Sequence, residues 1–182
     1  MVKTNVMKIL EQKKIKYDFF EYDSSITDGV KVAETLGEEA HQVFKTLVTT
    51  DGLNHYFIFV IPVNQTLDLK VVAKIVGKKS IDMIKQKELE PLTGYIHGGC
   101  SPIGMKKKFV TYFDKSIEKF EYVFVSAGRI GVQIKIAVKD LIKITEGRID
   151  NLIKKRVIPR FILVFFKSIS FVNHYKECYN SR

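Results

Sequence analysis

Two runs, VFKTLVTT (Val43–Thr50) and HYFIFVIPV (His55–Val63), flank the segment DGLN and commit the centre of this chain to a β-hairpin. β-branched and aromatic residues dominate both runs, and the connection between them is polar, contains glycine and is about four residues long. A hairpin of this kind is stable only when other elements cover it, and the flanking sequence supplies them.

Thr4 to about Lys13 reads as a helix that Thr4 or Asn5 caps, with Val6, Ile9, Leu10 and Lys13 at helical spacing. YDFFEY (Tyr17–Tyr22) reads as a strand. DGVKVAETLG places Val30, Ala33 and Leu36 on one helical face and stops at Gly37. Helical spacing returns in LDLKVVAKIVG through Leu69, Val72, Ala73 and Val76, ending at Gly77. KKSIDMI is expected to be a short strand and KQKELEPL a brief helix. KFVTYF, EYVFVS and GVQIKIAV read as strands, the last two joined by the tight turn AGRI, and VKDLIKIT as a final helix with Leu141, Ile142 and Thr145 inward. Strands mixed irregularly with short helices predict an α+β fold around one strongly curved mixed sheet. A chain of 182 residues, 46% of them hydrophobic, fills one core well.

Cysteine and charge narrow the setting. Cys100 and Cys178 form neither a disulfide framework nor a C-x-x-C spacing, which favours a reducing compartment. The N-terminal residues lack the apolar core of a secretion signal, and no apolar run approaches the roughly 20 residues that span a bilayer. A soluble, cytoplasmic protein with no membrane contact is expected. The formal net charge is +10, and residues 154–182 hold seven basic residues against the single acid Glu177. The body, 1–153, is therefore only mildly basic, which supports polyanion binding weakly. The tail, 154–182, carries the apolar run FILVFF among its basic residues. It reads either as a terminal element docked on the body or as an interfacial, RNA-contacting segment.

Several chemistries are absent as motifs. The four histidines, His41, His55, His97 and His174, show no zinc-site spacing, and no P-loop, nucleophile elbow or dinucleotide fingerprint occurs. No metal and no cofactor is expected. His97 reads as a surface histidine beside a glycine-rich segment.

Two features remain. Lys45 interrupts an apolar strand and shares a face with Val43 and Leu47. It either snorkels to solvent or faces a pocket, where its ammonium stabilises an anion. The second feature is GYIHGGCSPIGMKKKF (Gly94–Phe109), too rich in glycine for a helix or strand. Within it Gly98, Gly99, Cys100, Ser101 and Pro102 form either an anion-binding nest of backbone N–H groups or a plain turn. Cys100 lacks an evident histidine partner for nucleophilic catalysis.

VFKTLV, LDLKVVAKIVGKKSIDM, TGYIHGGCSPIGMKK and VSAGRIGVQI stand in an order and spacing that resemble the YbaK family of standalone aminoacyl-tRNA deacylases. Those proteins are related to the editing domain of bacterial prolyl-tRNA synthetases, and the resemblance covers roughly residues 3–152. It implies one α+β domain over 1–153 with a barrel-like sheet, and a tail over 154–182. The implied activity is hydrolysis of mischarged Cys-tRNA(Pro), assisted by the substrate's own thiol. The resemblance makes Lys45 the catalytic residue. Tyr22, Thr46, Gly98, Gly99, Cys100, Ser101, Pro102, Ser126 and Gln133 would bind substrate. Lys106, Lys107 and Lys108 either attract the acceptor stem or form a merely solvated turn, and prolyl-tRNA synthetase is an implied partner. Gln133 stands where some relatives carry an aspartate, so no base is available there. The rival readings are an Ala- or Ser-tRNA deacylase, a non-catalytic module that binds aminoacyl-tRNA or a synthetase, and a basic scaffold that acts through its tail.

Overall fold

The computed structural model describes residues 3–154, and the expectations for the tail beyond Lys154 lie outside the described residues. Helix α1 (Asn5–Gln12) starts where the Thr4 hydroxyl accepts the Met7 N–H at 3.3 Å, and it buries Val6, Met7 and Leu10. Lys13, which has the same spacing, is instead the exposed residue that ends the helix. Strand β1 (Tyr17–Glu21) follows. Helix α2 (Gly29–Leu36) starts at Asp28, whose carboxylate accepts the Val30 and Lys31 N–H groups, each at 3.0 Å. It stops at Gly37, which adopts the left-handed conformation at φ +71°.

The hairpin forms as read. β2 (Phe44–Thr50) and β3 (Tyr56–Pro62) pair antiparallel, with Lys45 opposite Ile61. The chain then passes through α3 (Leu69–Ile75), the two-residue strand β4 (Asp82–Met83) and α4 (Gln86–Thr93). This long crossover returns β5 (Val110–Asp114) parallel to β3, which a tight turn could not do. β6 (Tyr122–Ser126), β7 (Val132–Ala137) and α5 (Val138–Thr145) come next, and β8 (Arg148–Asp150) closes the described chain.

The strands make a five-stranded sheet, β4-β2-β3-β5-β8, and a three-stranded sheet, β1-β7-β6. The mixed α+β class holds. The described strands form two open sheets and no closed ring. A parallel bridge, Val43 to Phe124, joins the two, and the Phe124 N–H donates to the Gln42 carbonyl at 3.1 Å.

β3 reads as unbroken apolar sequence because both its faces are covered. Ile58 and Val60 point into the main core with Phe44, Phe113, Ile134 and α1. Phe59 and Ile61 point to a second core with α3, Tyr112 and Leu152. Two elements escaped the sequence reading. Residues Lys115–Lys119 form a 3-10 turn, and β8 is too short to show alternation. β8 reaches its place through Gly147, where a β-carbon would overlap the Phe113 ring.

Asp114, buried at the end of β5, ties these late elements together. One carboxylate oxygen accepts the Ser116 N–H at 3.0 Å and the Ser116 hydroxyl at 2.6 Å, and the other accepts the Leu152 N–H at 3.0 Å. Asp114→Ala leaves those donors unpaired and is expected to lower the unfolding free energy by about 2–3 kcal/mol. Urea denaturation checks this, and a midpoint equal to wild type would remove Asp114 from the fold's framework.

Candidate functional site

Where β2, the start of α2, the glycine-rich segment and the β6–β7 hairpin converge, they enclose a cavity of about 530 Å³. Lys45 and Thr46 line it from β2, Ser126 and Gln133 from the hairpin, Tyr22 from the end of β1, and Gly98 and Cys100 from the loop. Residues far apart in the chain are thus brought to one wall. Gly99, Ser101 and Pro102 lie behind that wall and are buried.

Lys45 is half-buried, and its Nζ donates to the Val63 carbonyl at 3.0 Å. Beyond the Phe44–Pro62 pair the Val63 N–H still donates to the Val43 carbonyl at 2.8 Å, and the Val63 carbonyl takes the ammonium. Burial pulls the Lys45 pKa below the ordinary lysine value, and the nearby charge of Asp28 partly offsets it. An ammonium has three donors, so two remain for a ligand beside the Val63 carbonyl.

Two other residues lining this cavity carry oxygens without a partner. Thr46 Oγ1 and Gln133 Oε1 are buried and, among the described residues, have no hydrogen-bond partner. Gln133 is 7% exposed and lies on the central strand β7, opposite Ser126 on β6 and Phe20 on β1. A buried acceptor without a donor costs about 1–3 kcal/mol, and a ligand donor recovers it. The Ser126 hydroxyl, by contrast, already accepts the Gly128 N–H at 3.2 Å.

The glycines answer for the loop's shape. Gly98 has φ +83°, which side chains with a β-carbon adopt only at a cost. A β-carbon on Gly99 would sit 3.0 Å from the Ile130 nitrogen and 3.2 Å from the Arg129 carbonyl carbon, so the loop lies directly on the hairpin backbone. Gly99 donates its N–H to the Ile96 carbonyl at 3.0 Å, which removes it from any nest. Among the described residues, the Gly98 and Cys100 N–H groups have no protein acceptor. The Ser101 hydroxyl accepts the Ile103 N–H, and the Tyr95 hydroxyl donates to the Ile103 carbonyl, which fixes the exit of the loop.

Burial pushes the Cys100 thiol up to about 12, so it stays protonated at neutral pH and is no nucleophile. His97 is exposed at the cavity rim. Among the described residues, no group of acids, histidines and cysteines could hold a metal ion. The lysines after the loop do not line this cavity. Lys106 Nζ donates to the Glu90 carbonyl, and Lys108 pairs with Glu146.

Asp28 is the lining residue that the sequence reading missed, and it is the cavity's carboxylate among the described residues. Its place before a helical run marks it as a cap, but nothing local tells that this helix end faces β2.

Removing the half-buried charge should stabilise the fold. Folded Lys45 has the lower pKa, so between that value and the unfolded value of about 10.4 the unfolded chain binds more protons, and stability rises with pH. Lys45→Met is expected to raise the melting temperature at neutral pH and to abolish this alkaline gain relative to wild type. Paired thermal melts from pH 7 to 10 decide it; a less stable Lys45→Met at neutral pH would reverse the sign.

The chain matches the aminoacyl-tRNA editing domain over residues 24–144. It is 43% identical over 155 residues to an Enterococcus faecalis protein named "Putative Cys-tRNA(Pro)/Cys-tRNA(Cys) deacylase EbsC", covering 84% of this chain and 94% of that one. In fold it is similar to the crystal structure of "a putative trans-editing enzyme for prolyl tRNA synthetase", with TM-score 0.74, 24% identity and coverage of 82% and 95%. A crystal structure of a hypothetical protein superposes with TM-score 0.76 at 19% identity, covering 82% and 99%.

Proposed function

The chain belongs to the aminoacyl-tRNA editing domain family, and from that premise we propose that it releases cysteine from mischarged Cys-tRNA(Pro) with the help of the substrate's own thiol. The observation that carries this reading is a cavity with a cation and unpaired acceptors, whose thiol is protonated and whose one carboxylate among the described residues, Asp28, is engaged in capping α2. A cysteinyl substrate supplies the nucleophile that these side chains do not.

The step balances simply. The cysteinyl sulfur bonds to its own ester carbonyl carbon, the bond from that carbon to the terminal ribose oxygen breaks, and the thiol proton ends on that oxygen. Free tRNA leaves with a cyclic thioester that water later opens to cysteine. Lys45 and the N–H groups of Gly98 and Cys100 meet the negative charge that develops on the carbonyl oxygen. Thr46 Oγ1 and Gln133 Oε1 accept from the substrate's α-ammonium, with the Asp28 charge close by. Gln133 serves as an acceptor, not as a base. Tyr22 and Ser126 complete the wall, and Gly99, Ser101 and Pro102 hold the loop that presents Gly98 and Cys100.

Selectivity rests on chemistry more than size. Alanine, serine and proline lack the thiol, and a difference of one methylene is worth only about 1–3 kcal/mol in a pocket. Nothing in the cavity reads an anticodon, so choice of the tRNA falls to a partner. Prolyl-tRNA synthetase is the candidate, in keeping with the structural neighbour described as its trans-editing enzyme. Charged tRNA is a cytoplasmic substrate, and among the described residues no helix is long and apolar enough to cross a membrane.

Release of labelled amino acid from Cys-, Ala-, Ser- and Pro-tRNA(Pro) tests the reading. Cysteine alone is expected to leave, and Lys45→Ala should slow release by about a hundredfold, the usual cost of a lost oxyanion donor. Loss of alanine or serine instead would keep the site and overturn the thiol mechanism. Tight tRNA binding with no release would make the protein a binding module.

The pH profile follows from the same groups. The rate is expected to climb as the substrate thiol ionises, near its ordinary pKa of about 8.5, and to fall as Lys45 loses its proton below the ordinary lysine range. The descending limb should vanish in Lys45→Ala; its survival there would assign it to another group.

A further inference from the structure

A second cavity, of about 680 Å³, adjoins the first and shares Lys45, Leu47 and Met83 with it. Both volumes fall in the range of about 300–1,000 Å³ usual for small-ligand clefts. The two therefore meet along β2 and β4, with Lys45 at the junction. Leu47 lies beside Lys45 on the face of β2 that this cavity uses, while Phe44 and Thr46 line only the first.

The second wall has a different chemistry. Leu47 and Leu69 are partly buried, and Met83 is 45% exposed, an apolar thioether held out at a sheet edge. Lys70 and Lys154 stand on the same cavity, and among the described residues neither is engaged in an ion pair. Lys154 is fixed in place by its backbone N–H, which donates to the Thr66 carbonyl at 3.1 Å. The carboxylate of Asp68 is turned to the start of α3, where it accepts the Lys70 and Val71 N–H groups at 3.1 and 3.2 Å. An apolar floor with ammonium groups at its rim fits a flat heterocycle joined to a phosphate.

An aminoacyl ester has two halves, an acyl group and a nucleoside, and the first cavity has room and partners for the acyl half. We infer that the second cavity binds the 3′-terminal nucleotide of the acceptor strand, its base on Leu47, Leu69 and Met83 and its phosphate at Lys70 and Lys154; this rests on the deacylase reading above. The ester then lies across Lys45. The phosphate backbone approaches from the α3 side, away from Lys106 and Lys108, whose ammonium groups are already engaged.

Kinetics of the full-length protein on Cys-tRNA, with adenosine monophosphate as competitor, test the inference. AMP is expected to compete with Cys-tRNA in the wild type. Lys70→Glu/Lys154→Glu should raise KM by about tenfold or more, leave kcat within about twofold, flatten the salt dependence of KM and abolish inhibition by AMP. Both residues are exposed at the surface, so the fold is expected to hold, and thermal melting verifies that. An unchanged KM, or inhibition by AMP that does not compete, overturns the inference while the deacylase stands. If the wild type releases no amino acid, the deacylase reading falls and the methyl resonance of Met83 decides the cavity. A shift on adding AMP that disappears in Lys70→Glu/Lys154→Glu keeps a nucleotide site, and no shift removes it.

Discussion

A lysine ammonium among apolar neighbours is held at the centre of this fold by one backbone carbonyl. That carbonyl belongs to Val63, whose N–H makes the last bond between the two strands, to the Val43 carbonyl at 2.8 Å. Had the hairpin run on, the Val63 carbonyl would have been drawn into the sheet and Lys45 would have had no anchor. The burial that lowers the lysine's affinity for its proton also reduces the screening of its charge toward a ligand. On the proposed function, stability and chemistry are therefore opposed at this position.

The rest of the site is built to leave donors and acceptors unspent around that charge. Thr46 Oγ1 and Gln133 Oε1 come from different sheets, which the Val43–Phe124 bridge joins, and both residues line one cavity. The glycine segment adds bare peptide groups, and it reaches them by lying on the Arg129–Ile130 backbone, closer than a side chain would allow. Each part takes its role from contacts with segments distant in sequence.

This explains what could be read beforehand. The hairpin was legible because its period and its turn are local. Lys45 was legible because a charge breaks an apolar alternation, and Gly98 because its neighbours exclude a helix. Three things were not. β8, three residues long, is too short to display the alternation that marks a strand. Asp28 looks like any helix cap until α2 is seen to point at β2. Gly99, Ser101 and Pro102 share a motif with Gly98 and Cys100, yet they support the cavity from behind. Sequence marks the loop but not which of its residues turn inward, because that depends on the hairpin beneath it.

The buried thiol of Cys100 has a consequence for the fate of the enzyme itself. On the proposed mechanism two thiols share one cavity with a reactive ester, and then with a cyclic thioester that any thiolate can open. A thiolate at Cys100 would take the acyl group and leave the protein covalently blocked. With its pKa pushed up to about 12, against about 8.5 for an ordinary thiol, Cys100 presents on the order of a thousandfold less thiolate than the substrate does. Desolvation of one sulfur atom is thus a safeguard against self-acylation, achieved by packing alone and without removing the cysteine.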